Sequence, residues 1–217
     1  MSSSVKSWNG KSVASTSVDD AGLGDKVKVR LLRSAVRMYE ANKRQGTVCT
    51  KTRGETNYTE NKPYKQKGTG NARRGDRNSP LLRGGGVIFG PRPRDFGFAL
   101  PRKALREALR SALAGKLRDK EVVALSAAGF TKASTKMAAA ALKALECDRS
   151  ACLVLPADNE TIWKSFRNIP DVSVVRASDL NAHQVLVHRR LVLVDDAWTV
   201  LMARLAKAPR RAKGAVA

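Results

Sequence analysis

The chain has 217 residues, of which 41 are lysine or arginine and 19 are aspartate or glutamate, so its formal net charge is +22. Hydrophobic residues make up 42% of the chain, which is enough for a packed core and excludes a wholly disordered protein. So large a positive surplus opposes compact folding unless the protein works beside a polyanion, either nucleic acid or an anionic membrane. The sequence contains no run of about 18 apolar residues, which excludes a transmembrane helix.

The first 24 residues are polar and rich in serine and glycine. They contain no apolar stretch of the signal-peptide type, and we therefore expect a cytoplasmic protein. The sequence leaves two structures open for residues 1–24, because they could form one or two edge strands or be disordered.

Two helices are predicted next along the chain. Residues 25–42 contain apolar residues at three- and four-residue steps, the pattern of an amphipathic helix, and Asp25 is a candidate N-cap. A second helix is predicted from Pro101, because proline is well suited to the first helical position. Leucines recur along one side of this helix, and Gly115 is expected to end it.

The stretch between these helices has a different composition. Residues 43–103 contain 15 of the 41 basic residues, 10 of the 16 glycines and five of the eight prolines, but only four acidic residues. An irregular segment of this length is usually functional, and closely spaced basic groups bind nucleic acid because phosphate contacts release counterions. We therefore predict that residues 43–100 form an extended RNA-binding arm. Five aromatic residues of the arm could stack on unpaired bases, namely Tyr58, Tyr64, Phe89, Phe96 and Phe98.

Beyond residue 120, short apolar runs alternate with helical patterns. Nearly continuous apolar strands separated by helices indicate a parallel sheet covered on both faces. We predict an α/β protein, with a three-layer α/β/α domain and a mainly parallel four-stranded sheet. This globular domain comprises residues 1–42 and 101–217, and the arm is inserted between its first two helices. The four predicted strands lie within residues 121–127, 150–157, 172–178 and 190–196.

No pattern in the chain is typical of catalysis or metal binding. The three cysteines form no CxxC pair, and the two histidines have no cysteine pair near them in sequence. The GTG string at residues 68–70 resembles the start of a dinucleotide-binding fingerprint, but Arg73 stands where its third glycine is required. Asp195 and Asp196 fit capping of the last helix better than a catalytic carboxylate pair. We therefore expect no catalytic residue, no metal and no cofactor.

Three strings in and beside the arm resemble a known family. They are KRQGTVCTKTRGE, KPYKQKGTGNARRGDRNSPLLRGGGVIFGPRPRDF and LPRKALREALRSAL, in this order, and they resemble the bacterial type of the large-subunit ribosomal protein L-four family. The good match extends over about residues 27–115, and the remaining α/β pattern also fits the family. The resemblance implies a structural constituent of the large ribosomal subunit that is not an enzyme. It also implies that the protein binds large-subunit rRNA, supports early assembly and lines the polypeptide exit tunnel with its arm.

The resemblance further implies partners and site residues. The partners are large-subunit rRNA, neighbouring large-subunit proteins including the other tunnel-arm protein L-twenty-two, and the nascent polypeptide, with no membrane. By motif position, the tunnel wall is lined by Gln66, Lys67, Gly68, Thr69 and Gly70. The residues predicted to bind rRNA are basic side chains of the arm and of the polar side of the second helix: Arg44, Lys51, Arg53, Lys62, Lys65, Lys67, Arg73, Arg74, Arg77, Arg83, Arg92, Arg94, Arg102 and Lys103.

Three positions of the arm depart from the family pattern. Tyr64 stands where tryptophan is common, and Lys65 and Asn71 stand where arginine is common. Lysine and asparagine lack the planar fork with which arginine binds phosphate. The composition also leaves a second function open, that of a free-standing RNA-binding chaperone.

Overall fold

The computed structural model describes residues 2–8, 13–19, 22–24, 26–147 and 149–206. Six strands and six α-helices are found in this described part of the chain. The strands are β1 (Ser2–Trp8), β2 (Val13–Asp19), β3 (Val122–Leu125), β4 (Ala151–Leu155), β5 (Val172–Arg176) and β6 (Arg190–Val194). The helices are α1 (Val29–Asn42), α2 (Arg102–Arg118), α3 (Thr135–Ala144), α4 (Glu160–Phe166), α5 (Ala182–Val187) and α6 (Ala197–Leu205).

All six strands belong to one sheet, in the order β2-β1-β3-β6-β4-β5. β1 and β2 pair antiparallel, and every other pair of neighbouring strands is parallel. The prediction of an α/β protein with a mainly parallel sheet is confirmed, but the prediction of four strands was wrong. The four apolar runs form β3 to β6, and the two further strands come from the first 24 residues.

The sequence left residues 1–24 open between edge strands and disorder, and the composition of β1 and β2 explains why. In β1, Val5 and Trp8 are buried while Lys6 between them is exposed and pairs with Glu146 at 2.9 Å. A strand that mixes buried and exposed residues lacks the continuous apolar run by which the central parallel strands were identified. Serine and threonine occupy much of β1 and β2, which further hides the strand pattern in the sequence.

The sheet buries a hydrophobic core on each of its faces. Helices α1, α2, α5 and α6 cover one face with side chains such as Leu113 and Leu201, and α3 and α4 cover the other, where Phe166 is fully buried. Neighbouring strand residues alternate between the two cores, as Cys152 and Leu153 of β4 do. Burial raises the pKa of the Cys152 thiol to about 12. The sheet and the helices on its two faces therefore form a three-layer α/β/α structure.

The helix ends differ in part from the predicted ends. Helix α1 begins at Val29, and Asp25, the predicted N-cap, lies outside the described residues. Helix α2 begins at Arg102, with Pro101 at the N-cap and not at the predicted first helical position, and it passes Gly115 and ends at Arg118. A glycine inside a helix costs only about 1 kcal/mol relative to alanine, and the buried leucines of α2 outweigh that cost.

Neither of the two aspartates before α6 caps this helix with its side chain, whereas the sequence predicts capping by both. Asp196 occupies the N-cap position, but its side chain makes no capping hydrogen bond. Asp195 has a positive φ of 43°, and its carboxylate accepts a hydrogen bond from the N–H of Ala127 at 3.0 Å. The side chain of Asp195 therefore fixes the loop after β3 instead of capping α6.

The chain divides into two compact units. The first unit comprises Met1–Tyr39 and Ala99–Ala217, and the second unit comprises Glu40–Phe98. Both hydrophobic cores belong to the first unit. The second unit, all of whose residues are described, contains no strand and has one short 3-10 helix at Arg53–Glu55 after the end of α1. Among the helices described, none is long and apolar enough to cross a membrane.

Candidate nucleic-acid interface

Backbone hydrogen bonds join the two ends of the second unit. The N–H of Arg94 donates to the carbonyl oxygen of Gly46 at 3.1 Å, and the N–H of Val87 donates to that of Lys51 at 2.9 Å. These bonds pair early residues of the unit with late ones in an antiparallel direction. The basic segment therefore folds back on itself without forming a regular strand.

Glycines allow the two paired runs of the second unit, residues 46–51 and residues 87–94, to approach each other closely. Gly46 has a φ of +69°, and a Cβ atom there would lie 2.1 Å from the carbonyl oxygen of Arg94. A Cβ atom on Gly86 would lie 2.3 Å from the backbone nitrogen of Arg53. Because neither position has room for a side chain, part of the glycine content of the arm is explained by its own packing.

Two ion pairs also lie within the second unit. Arg92 donates to the carboxylate of Glu55 at 2.8 Å, and the N–H of Thr52 donates to the same carboxylate at 2.9 Å. The hydrogen bond from Arg92, followed by that from Thr52, lowers the pKa of Glu55 to about 2, and Glu55 in turn raises the pKa of Arg92. Arg53 pairs more loosely with Asp76, at 3.7 Å. Two of the arginines predicted to bind rRNA therefore also help to hold the unit together.

All the side chains predicted to bind rRNA are exposed. Apart from Arg53 and Arg92, none of them has a carboxylate partner among the described residues, so their charge is available to an external anion. Arg102 and Lys103 belong to the first unit, where they occupy the first turn of α2. The others belong to the second unit: Arg44, Lys51, Arg53, Lys62, Lys65, Lys67, Arg73, Arg74, Arg77, Arg83, Arg92 and Arg94.

The residues predicted to line the tunnel, 66–70, are all exposed and lie at a bend of the chain. Gly68 and Gly70 have φ values of +88° and +69°, which favour glycine. The hydroxyl of Tyr64 donates a hydrogen bond to the carbonyl oxygen of Ala72, so the chain on either side of residues 66–70 is drawn together.

Two aromatic residues of the arm, Phe96 and Phe89, differ in their surroundings. Two guanidinium groups contact the ring of Phe96, with Cζ of Arg44 at 3.8 Å and Cζ of Arg94 at 4.6 Å from its centre. Phe89, in contrast, is 98% exposed. The structure therefore leaves the ring of Phe89 free for an external partner, whereas cations already cover Phe96.

One buried polar residue of the second unit was not predicted. Asn78 is 3% exposed, and its backbone carbonyl accepts a hydrogen bond from the N–H of Gly86 at 3.0 Å. Its side-chain Oδ1 atom is buried without a hydrogen-bond partner. An asparagine in an irregular basic segment is typical of an exposed turn, so no signal in the sequence indicates its burial.

The described residues contain no group of three or more histidine, cysteine, aspartate or glutamate side chains that could hold a metal ion. The second unit therefore offers exposed guanidinium and ammonium groups, together with exposed aromatic rings and a glycine-rich backbone. This combination suits an anionic polymer with unpaired bases.

Comparison with known proteins gives consistent results over most of the chain. Residues 16–204 match the family described as the "Ribosomal protein L4/L1 family". The chain is 44% identical to "Large ribosomal subunit protein uL4" of Symbiobacterium thermophilum over 193 residues, which cover 89% of this chain and 93% of that protein. It is 38% identical to the protein of the same name of Finegoldia magna over 197 residues, which cover 91% and 95% of the two chains.

Proposed function

The chain belongs to the ribosomal protein L4/L1 family, and from this premise we propose that it binds large-subunit rRNA through its second unit. As a member of this family, it is a structural protein of the large ribosomal subunit in the cytoplasm and not an enzyme. The observation that supports rRNA binding best is the set of exposed cations on the second unit, most of which have no carboxylate partner among the described residues.

The charge balance explains why an RNA partner is expected. Phosphate groups neutralise exposed arginines and lysines and release counterions when they do so, which favours binding at physiological salt. Arginine adds a planar fork that can bind a phosphate through two hydrogen bonds. The arm thereby supports early assembly, because it can bind rRNA before the surrounding RNA is fully packed.

The exposed bend at residues 66–70 is the part of the arm that we assign to the polypeptide exit tunnel. In this proposal the arm of the protein L-twenty-two lies near it, and the nascent polypeptide passes beside it. The exposed glycines and polar side chains of this bend suit a wall that a moving peptide must pass without binding.

A measurement of rRNA affinity against salt concentration tests the proposal. Replacing Arg73, Arg74 and Arg77 together by glutamine should weaken binding to large-subunit rRNA. The salt dependence should become shallower by about 0.7–0.9 in log–log slope for each phosphate that the variant no longer neutralises. The matched control replaces three exposed lysines of the first unit, Lys132, Lys136 and Lys143, by glutamine and so removes the same charge.

Equal losses of affinity in the two triple variants would contradict a role for the arm, because they would reflect net charge alone. Equally tight binding of the unmodified chain to duplex DNA and to large-subunit rRNA, at one salt concentration, would favour the free-standing RNA-binding chaperone instead.

A further inference from the structure

A cavity of about 480 Å³ lies on the surface of the second unit, and the predicted phosphate contacts do not account for it. Its wall is formed by the two runs that the backbone hydrogen bonds hold together. The side chains of Val48, Phe89 and Phe96 supply apolar and aromatic surface, and Arg92 and Arg94 contribute cations.

The backbone around this cavity has little freedom. Gly46 and Gly90 both line it. A Cβ atom on Gly90 would lie 1.7 Å from the hydroxyl oxygen of Thr50, and one on Gly46 would lie 2.1 Å from the carbonyl oxygen of Arg94. The cavity is therefore formed by a backbone arrangement that only glycine permits at these two positions.

The chemistry of the wall is that of an aromatic surface beside positive charge. Phe89 is 98% exposed and Val48 is 64% exposed. Arg44 and Arg94 both contact the ring of Phe96, and neither has a carboxylate partner among the described residues. Glu55 is engaged by Arg92, so it does not neutralise these two arginines.

We propose that this cavity receives one unpaired base of the rRNA, which stacks on the ring of Phe89 while Arg44 and Arg94 bind the adjoining phosphate. The inference rests on the proposed function and specifies the part of the RNA that the site recognises. A flat π-surface next to two guanidinium groups matches a base and its phosphate, whereas an apolar peptide would leave both cations without an anion. A paired base in a duplex has no free face, so the site selects a loop, a bulge or a single strand.

The test uses the full chain and large-subunit rRNA of the source organism transcribed in vitro. Phe89→Ala should weaken binding by about 5- to 150-fold, the range measured when one stacked base loses its aromatic partner, and the salt dependence should not change because no charge is removed. Phe89→Tyr should retain the affinity of the unmodified chain, and Phe89→Leu should lose it. Leu81→Ala is the matched control, because Leu81 is 92% exposed on the same unit but does not line the cavity.

Chemical probing of the RNA provides the second readout. One unpaired base should be protected in the complex with the unmodified chain and reactive in the complex with Phe89→Ala. The proposal is overturned if Phe89→Ala binds within twofold of the unmodified chain, or if Phe89→Leu binds as tightly as Phe89→Tyr. If the unmodified chain binds rRNA tightly and Phe89→Ala changes the affinity little, only this inference is overturned. If the unmodified chain does not bind rRNA more tightly than duplex DNA, the proposed function is overturned as well.

Discussion

The pair formed by Glu55 and Arg92 links the charge of the arm to its internal structure. Glu55 is exposed, yet hydrogen bonds from Arg92 and from the backbone of Thr52 lower the pKa of its carboxyl group to about 2. A carboxyl group whose pKa falls on folding contributes stability above its ordinary pKa of 4.5, and this contribution is lost as the pH falls toward 2. The pair therefore stabilises the second unit at neutral pH and not in strong acid.

A pH titration of the Glu55 carboxyl group by NMR checks this account. We expect a pKa near 2 in the unmodified chain and a higher value in Arg92→Gln, because the first cause of the shift is then absent while the hydrogen bond from Thr52 remains. Arg83→Gln serves as the control, since Arg83 is an exposed arginine of the same unit that makes no contact with Glu55. An unchanged Glu55 titration in Arg92→Gln would show that the pair does not form in solution.

Gly46 provides a test of the backbone closure. Gly46→Ala should open the contact between the two runs, because the new Cβ atom would meet the Arg94 carbonyl and a positive φ costs a non-glycine residue about 1–3 kcal/mol. The measurement is hydrogen exchange at the amide of Arg94, which donates to the Gly46 carbonyl and should become less protected in the variant. Gly54→Ala is the control, since a Cβ atom there meets nothing within 4 Å. Equal protection of the Arg94 amide in both variants would contradict the described closure.

At the scale of the elements, the four strands with apolar runs, β3 to β6, were predictable, whereas the sequence left strands and disorder open for the segment that forms β1 and β2. Strands β3, β4 and β6 are buried on both faces, and burial of this kind requires continuous apolar runs that can be identified in one sequence. The strands β1 and β2 lie at one side of the sheet and mix serine and threonine with few large apolar residues. Their pairing depends on contacts between distant parts of the chain, which a local pattern does not reveal.

Some features of the candidate interface can also be predicted from the sequence, and others cannot. The concentration of basic residues and glycines in residues 43–103 was visible in advance, because composition is a local property of the sequence. The covered ring of Phe96, the buried Asn78 and the pairing of Glu55 with Arg92 were not, because each depends on which residues the folded segment brings together. The five aromatic residues of the arm are equivalent by sequence pattern, and only the three-dimensional arrangement distinguishes Phe89 from Phe96.

Helix α2 offers the clearest test of the core. Leu113 is fully buried between this helix and the sheet, so Leu113→Ala removes buried apolar surface and leaves a cavity. We expect a loss of about 2–5 kcal/mol in the free energy of unfolding, measured by chemical denaturation. Leu81→Ala makes the same change at an exposed position and should shift the unfolding midpoint little. A loss below about 1 kcal/mol at Leu113 would mean that α2 does not pack as described.

At the scale of the whole molecule, the residues that build the hydrophobic cores and most of those predicted to bind rRNA lie in different parts of the chain. Both hydrophobic cores are built from residues of the first unit, whereas most of the predicted rRNA contacts belong to the second. A core variant such as Leu113→Ala should therefore change stability first, and an arm variant should change RNA binding first. This separation is expected of a protein whose folded domain carries a segment that a polyanion stabilises.

The most direct test of the central claim is the sedimentation of the endogenous protein in a lysate of its own organism. We predict that nearly all of it sediments with the large ribosomal subunit at a salt concentration that removes loosely bound proteins, and that ribonuclease treatment releases it. A majority of the protein at the top of the gradient in an untreated lysate would contradict a structural role in the subunit.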